Sequence, residues 1–171
     1  MKKISMAVKN RLPLILLIGC IIIILLLWQT QRITSAPTVT FTTITGKKIE
    51  LAQLRGHPVI ITFWATDCAG CIKEIPHLIE LYNQFHPKGL EIIAVAMYYD
   101  PPSHVVAMTN ARQLPYNVAL DLTAEHAMAF GQVRLTPTTF LISATGNIVF
   151  QKTGTFDSIK MKQRLNNLIQ G

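Results

Sequence analysis

The sequence predicts an α/β fold, and three observations lead to this prediction. Two nearly continuous apolar runs, residues 59–63 and 90–97, are typical of buried strands. Between them, apolar residues recur at helical spacing over residues 69–85. Strands and helices continue to alternate after these runs, and the chain ends in a hairpin followed by a helix. This order of elements is typical of an α/β sandwich.

The segment ahead of this domain contains a candidate membrane anchor. Residues 12–28 are uncharged and would span roughly 26 Å as a helix, near the lower limit for a bilayer core. Basic residues precede the run, so we expect residues 1–11 to stay in the cytoplasm and the rest of the chain to lie outside it. Residues 29–37 are polar and end in Ala-Pro, which predicts a linker to a folded domain of residues 38–171.

Two other interpretations of the apolar run stay open. A cleaved signal peptide would have a shorter apolar region and a small-residue cleavage site, for which Ser35-Ala36 is a weak candidate. Residues 17–20, Leu-Ile-Gly-Cys, have the form of a lipoprotein signal, but apolar sequence continues after Cys20. The length of the run favours an uncleaved anchor, in which Cys20 is a small apolar residue within the membrane.

The charge distribution gives no signature of nucleic-acid binding. The net charge is +7, but five of the 16 basic residues flank the apolar run. The remaining 11 face nine acidic residues, which leaves the domain at about +2. Because no basic stripe with interleaved aromatic residues is present in the sequence, we do not expect a nucleic acid as a partner. The lipid bilayer is expected as a partner through the predicted anchor.

The elements around the central strand follow from short-range signals. Residues 39–43 and 48–51 flank a Thr-Gly pair and predict a short hairpin ahead of that strand. The helix over residues 69–85 follows the strand directly. Pro76 is expected to kink this helix, because proline removes a backbone donor.

The second half of the domain continues the alternation. Its predicted elements are a buried strand at 90–97, a helix opened by Pro101-Pro102, a short strand at 118–120, a helix capped by Thr123 and ending near Phe130, a hairpin of 138–143 with 148–152, and a last helix carrying Ile159, Leu165, Leu168 and Ile169.

Two cysteines lie where the central strand passes into the first domain helix. This position exposes Cys68 at a helix N-terminus, where unpaired N–H groups and the helix dipole favour a thiolate. The thiolate is the nucleophile in disulfide exchange, and Cys71 lies one turn deeper, close enough to resolve a mixed disulfide. The pair is therefore sufficient for a dithiol/disulfide couple.

A structural disulfide or half of a zinc site are the alternatives for this pair. A structural bridge rarely closes so small a loop, because its gain in loop entropy is least there. Zinc needs further ligands at matching spacing, but Cys20 lies in the apolar run and the five histidines are scattered. The sequence therefore favours a redox couple, and we expect neither a bound metal nor a cofactor.

Two motifs together resemble the thioredoxin-like superfamily. Residues 63–71, Phe-Trp-Ala-x-x-Cys-x-x-Cys, resemble its active site, and residues 135–142 resemble its cis-proline segment about 65 residues downstream. Glu74 and Pro76 after the cysteines, and an extra segment before Asp121, are similar to the TlpA/ResA branch. The resemblance implies a three-layer α/β/α sandwich with a short N-terminal hairpin and a central insert, preceded here by one transmembrane helix.

The resemblance also implies roles at the redox centre. Cys68 would be the attacking thiolate and Cys71 the resolving thiol. Glu74 matches the glutamate that influences proton transfers of the active thiols in ResA-like proteins. Thr62 stands where thioredoxins carry a buried aspartate, which leaves Glu74 as the acid/base candidate.

Substrate contacts are implied for three further residues. Trp64 precedes the cysteines, and Pro137 would face them with its peptide bond in the cis form. The backbone of Thr136 would pair with a substrate strand. Asp67, by contrast, departs from the aromatic residue common before the first cysteine: it either opposes ionisation of Cys68, points to water, or caps the helix.

These expectations combine into a hypothesis for the function. The chain would be a single-pass protein of the cytoplasmic membrane whose domain faces the periplasm and reduces protein disulfides, supplied with electrons by a membrane or extracytoplasmic donor. Apocytochrome c maturation is the best-known role of the family, but Thr136-Pro137-Thr138 stands where the dedicated maturation reductants carry Gly-x-Pro-Glu.

Three alternatives to this hypothesis stay open, and the second belongs to a different class of function. The first is a net dithiol oxidase or isomerase, because the direction of exchange depends on partners. The second is a copper-binding thiol chaperone, since soft thiolates suit Cu(I). The third is a peroxidase of the peroxiredoxin group, which is disfavoured because the threonine-to-cysteine spacing of that active site is absent from the sequence.

Overall fold

The computed structural model describes residues 34–170, which form an α/β domain. The predicted cytoplasmic segment, the predicted anchor and residues 29–33 of the predicted linker lie outside the described residues. Within residues 34–170, no helix combines the length and apolar character needed to cross a bilayer. The strands are β1 Thr34–Ser35, β2 Thr40–Thr42, β3 Lys48–Glu50, β4 Val59–Trp64, β5 Glu91–Ala96, β6 Asn117–Leu120, β7 Thr138–Ile142 and β8 Asn147–Thr153. The α-helices are α1 Ala69–Phe85, α2 Pro102–Arg112, α3 Glu125–Ala129 and α4 Ser158–Gln170.

The central strand of the main sheet is β4. The sheet has six strands in the order β1-β8-β7-β4-β5-β6, and β4 runs parallel to β5 and antiparallel to β7. Trp64 at the end of β4 pairs with Ala96 at the end of β5, while Phe63 pairs with Thr138 at the start of β7. The end of β4, the end of β5 and the start of β7 therefore meet at one edge of the sheet.

Alternation along the buried strands divides the core into two halves. On one face, Ile60 and Trp64 pack with apolar residues of α1, α2 and α4. On the other face, Ile61 and Phe63 pack with the hairpin β2–β3 and with α3. Three layers result, as the sequence predicted, with the hairpin and the short α3 forming one outer layer.

The domain begins earlier than the predicted boundary at residue 38. Thr34 and Ser35 form an antiparallel edge strand with β8, and the N–H of Ala36 donates to the carbonyl of Gly146 at 2.9 Å. The end of the predicted linker is thus part of the sheet, where it covers the otherwise unpaired edge of β8. A strand of two residues is too short to show an alternating pattern in the sequence.

The start of α3 also differs from the prediction. Thr123 does not cap this helix; the buried carboxylate of Asp121 accepts hydrogen bonds from the N–H groups of His126 at 3.0 Å and Ala127 at 2.8 Å. The reason is the left-handed backbone of Ala124, with φ of 61°, which reverses the chain and brings Asp121 to the helix N-terminus. The N–H of Asp121 donates to the carbonyl of Ala96, so Asp121 joins α3 to β5.

This geometry predicts different effects of two substitutions. Asp121→Ala should lower the free energy of unfolding by about 2 kcal/mol, because it removes two hydrogen bonds to a buried carboxylate. Thr123→Ala, the matched control at the position that the sequence pattern favours, should change it by less than about 0.5 kcal/mol. Urea unfolding of the oxidised protein measures both, and an equal loss in the two variants would contradict the assigned cap.

Candidate active site

The two cysteines form a disulfide at the N-terminus of α1. Cys68 is the N-cap of the helix, and its Sγ accepts a hydrogen bond from the N–H of Cys71 at 3.2 Å. Cys68 is half-buried whereas Cys71 is 3% exposed, so an incoming disulfide reaches Cys68 first. After reduction, the N-terminal N–H groups of α1 would stabilise a thiolate on Cys68.

A buried carboxylate that the sequence analysis missed fixes the turn before Cys68. Asp100 is 5% exposed and accepts hydrogen bonds from the N–H and from the hydroxyl of Thr66, each at 2.7 Å. The N–H of Cys68 in turn donates to the carbonyl of Ala65 at 3.2 Å. The sequence does contain a signal for this contact: Asp100 follows β5, which runs parallel to β4. Because the carboxyl ends of parallel strands meet at one edge of the sheet, an aspartate there lies close to the turn after β4.

Asp67 lies on the surface of this turn. Its side chain is exposed, and the N-cap position of α1 belongs to Cys68. The interpretation of Asp67 as the helix cap is therefore wrong, because the helix begins one residue too late for it. The interpretation in which Asp67 points to water agrees with its exposure.

The predicted cis bond between Thr136 and Pro137 is present. Pro137 is buried against the first turn of α1, where a Cβ on Gly70 would lie 3.2 Å from its Cδ and 3.7 Å from Cγ2 of Thr155. Glycine at position 70 therefore permits the close approach of the two motifs. Thr136, half-buried beside the proline, lies at the same edge of the sheet as Cys68.

The position of Trp64 corrects one expectation. Its side chain is 4% exposed and packs in the same core half as Cys71 and Ile75, beneath the surface around Cys68. A direct contact between Trp64 and a docked protein is therefore not available in this structure. The side chain points inward because β4 alternates and residue 64 faces α1.

Glu74 is buried on the inner face of α1, where it is 2% exposed. One carboxylate oxygen, Oε1, accepts a hydrogen bond from the N–H of Phe156 at 2.9 Å. The other, Oε2, has no hydrogen-bond partner among residues 34–170. Burial raises the pKa of Glu74 to about 7, against the smaller opposing effects of the Phe156 N–H and the Thr139 hydroxyl.

A small cavity joins Glu74 to the buried cysteine. Its volume is about 10 Å³, and Trp64, Cys71, Glu74 and Tyr116 are among its lining residues. The indole Nε1 of Trp64, like Oε2 of Glu74, is buried without a partner in the described part of the chain. A volume of this size is at the lower limit for holding one water molecule. Burial and the neighbouring Glu74 charge also raise the pKa of Tyr116 above its ordinary value.

The remaining polar groups of the site do not form a metal centre. Across residues 34–170, no cluster of three or more His, Cys, Asp or Glu side chains is placed to hold a metal ion. Thr62, at the position where thioredoxins carry an aspartate, instead shares a buried hydrogen bond of 3.0 Å with Thr139. Of the two buried carboxylates near the cysteines, Glu74 lines a cavity with Cys71, whereas Asp100 binds Thr66 in the turn before Cys68.

Comparisons with known proteins agree with this site. Residues 34–151 match the model of the AhpC/TSA family. The thiol-disulfide oxidoreductase ResA of Bacillus thuringiensis subsp. konkukian is 34% identical over 136 residues, which cover 78% of this chain and 76% of the relative. ResA of Bacillus subtilis is 32% identical over 139 residues, covering 80% and 75%. A thiol:disulfide interchange protein of the thioredoxin family from Chlorobium tepidum is similar in structure, with a TM-score of 0.74, 26% identity and coverage of 81% and 97%.

The raised pKa of Glu74 predicts a loss of stability toward neutral pH. The unfolded chain releases this proton near pH 4.5 and the folded chain near pH 7, so stability falls as pH rises between these values. Relative to Glu74→Gln, which keeps an acceptor for the Phe156 N–H, the wild type should lose on the order of 3 kcal/mol between pH 4.5 and 8. Urea unfolding at intervals of half a pH unit measures the difference.

Glu80 provides the matched control on the same helix. The hydrogen bond and charge of Lys162 hold the pKa of Glu80 below its usual value, so this group has already ionised where Glu74 titrates. Glu80→Gln should therefore retain the fall in stability between pH 5 and 7. Parallel curves for the wild type and Glu74→Gln would show that the buried carboxyl ionises normally.

Proposed function

Because this chain belongs to the AhpC/TSA family and, within it, to the ResA-like thiol–disulfide oxidoreductases, we propose that it reduces disulfides of proteins outside the cytoplasm. The Cys68–Cys71 couple carries the exchange. The observation that supports the assignment of roles is the asymmetry of the pair: Cys68 is accessible at a helix N-terminus, whereas Cys71 is buried beside Glu74.

The reaction proceeds through two exchange steps. The Cys68 thiolate attacks one sulfur of a substrate disulfide, forming a mixed disulfide and releasing the other substrate sulfur as a thiolate that takes a proton. Cys71 then passes its proton toward Glu74 and attacks Sγ of Cys68, which breaks the mixed disulfide and releases the second substrate sulfur as a thiolate. This thiolate takes up a proton, and Glu74 returns its proton to solvent. The substrate gains two electrons and two protons, and the Cys68–Cys71 disulfide is formed.

Glu74 is suited to the second step. A general base works best when its pKa is near the operating pH, and the pKa of about 7 meets this condition. Glu74 and Cys71 line the same cavity, so the proton need not travel through bulk solvent. Its burial thus serves the resolving thiol rather than the exposed nucleophile.

The location and the partners complete the proposal. Residues 12–28 anchor the chain in the cytoplasmic membrane by a single span, with the N-terminus in the cytoplasm and the domain in the periplasm. A membrane or extracytoplasmic donor returns the couple to the dithiol form. Apocytochromes c are one candidate substrate class, which the resemblance of the sequence to the TlpA/ResA branch implies, although Thr136-Pro137-Thr138 departs from the Gly-x-Pro-Glu of the dedicated maturation reductants.

The roles of the two cysteines predict different trapping behaviour. Cys71→Ser should lose turnover and accumulate mixed disulfides with its substrates, because nothing resolves the Cys68 adduct. Cys68→Ser, the matched control, should lose turnover without trapping. Non-reducing electrophoresis of the affinity-purified variants after acid quenching measures the adducts. Equal trapping through either cysteine would contradict the assignment.

The direction and location predict how the thiols react in intact cells. A membrane-impermeant maleimide should label the accessible Cys68 without prior reduction, because a reductant outside the cytoplasm is held as a dithiol. The Cys68→Ser/Cys71→Ser variant measures any labelling at Cys20. Labelling only after added reductant would indicate a net oxidase, and labelling only after lysis would place the domain in the cytoplasm.

A further inference from the structure

An open groove borders the active-site turn on the side of α2. It has a volume of about 480 Å³ and lies between this turn and one face of the helix. Its lining residues are Thr66, Asp67, His104, Ala107, Met108 and Ala111. The spacing of the four helical residues places them on a single face of α2. We call this feature the α2 groove.

The α2 groove combines an apolar floor with one carboxylate at its rim, and the imidazole of His104 also lines it. Two alanines and the half-buried Met108 form the floor, and a methionine adapts to side chains of different shape. Asp67 places an exposed carboxylate at the rim. Within residues 34–170, no lysine, arginine or histidine lies within ion-pair distance of this carboxylate. The chemistry therefore fits an apolar side chain next to a basic one.

The position of the α2 groove relates it to the reacting sulfur. Asp67 directly precedes Cys68, and Asp100 holds the adjacent Thr66 by two hydrogen bonds. In the sheet, β5 and its following helix α2 lie on one side of β4, while β7 and the preceding Pro137 lie on the other. A polypeptide bound across Cys68 between these two sides therefore has one flank at Pro137 and the other at the α2 groove.

The size of the α2 groove indicates an extended segment as its occupant. From His104 to Ala111 the helix rises about 10 Å, which equals roughly three residues of extended chain. A contact of this length accommodates one or two side chains. The surface that one or two side chains bury is far smaller than the roughly 800 Å² per partner that a stable protein dimer buries.

We propose that the α2 groove binds the substrate segment that flanks the reactive cysteine and selects segments with an apolar residue next to a basic one. This inference rests on the proposed reduction of protein disulfides and specifies which disulfides are attacked fastest. It assigns substrate selection to Asp67, Ala107 and Ala111, which take no part in the electron transfer.

Peptide disulfides with a chromogenic leaving group test the proposal. Seven-residue peptides with one central cysteine are linked to 5-thio-2-nitrobenzoate, and attack by reduced full-length protein in detergent releases the coloured thiolate. Two peptides carry Leu-Lys, one directly before the cysteine and the other directly after it. Each has a counterpart that carries Ser-Glu at the same two positions. The N-acetylcysteine amide derivative serves as a comparator too small to reach the groove.

The expected result is a preference that depends on the groove. At least one Leu-Lys peptide should react about tenfold faster than its Ser-Glu counterpart, after correction for the reactivity of each disulfide toward free dithiothreitol. Ala107→Gln should remove most of this preference by filling the floor. Val106→Gln, the matched control at an exposed position of α2 outside the lining, should retain it. Asp67→Asn should reduce the preference about threefold, because it removes the charge attraction between Asp67 and the lysine of the peptide.

The outcomes separate the groove from the reaction itself. Equal rates for both pairs of peptides, or equal effects of Ala107→Gln and Val106→Gln, would overturn substrate selection by the α2 groove while leaving disulfide reduction intact. Failure to react with any disulfide, the small comparator included, would instead overturn the proposed function, and with it the selection of substrates.

Discussion

The register of β4 between β5 and β7 is the constraint on which the active site depends. Parallel pairing with β5 places Asp100 beside the turn that follows β4, and antiparallel pairing with β7 places Pro137 on its other side. Cys68 is held between them at the start of α1. A shift of one residue would move Trp64 and Thr62 to the opposite face and remove Trp64 from the cavity that it lines with Cys71 and Glu74.

Glu74 shows how this fold accepts a cost at its reactive centre. A carboxyl group that is 2% exposed, with one oxygen unpartnered among residues 34–170, disfavours the folded state once it ionises. Replacement by a neutral side chain that still accepts from Phe156 would avoid this cost. The geometry instead keeps an acid with a pKa near 7 on the wall of the cavity that Cys71 shares, where Cys71 would lose its proton in the proposed second exchange step.

Sequence reasoning succeeded where the signal is contiguous. The apolar run of β4, the helical spacing of α1 and the two cysteines at their junction are all local patterns, and the resemblance added Glu74 and the cis bond at Pro137. Sequence reasoning failed where a contact depends on the register of paired strands or on a left-handed backbone conformation. Asp100 meets Thr66 only through the pairing of two strands, and Asp121 displaces Thr123 only because Ala124 is left-handed. The inward position of Trp64 depends likewise on alternation within a fully buried strand.

Helix α2 can vary in sequence without disturbing the reaction centre. Val105 is the one residue of α2 that is buried in the core. Most other side chains of this helix can therefore be replaced without disturbing the packing of the core. The turn that carries Asp67 and Cys68 is rigidly bound to the sheet through Asp100, and the α2 groove has this turn as one wall and the helix as the other. Under the proposed role of the α2 groove, substitutions on the helix wall alter which polypeptides bind, while α1 itself keeps the spacing of Cys68, Cys71 and Glu74 fixed.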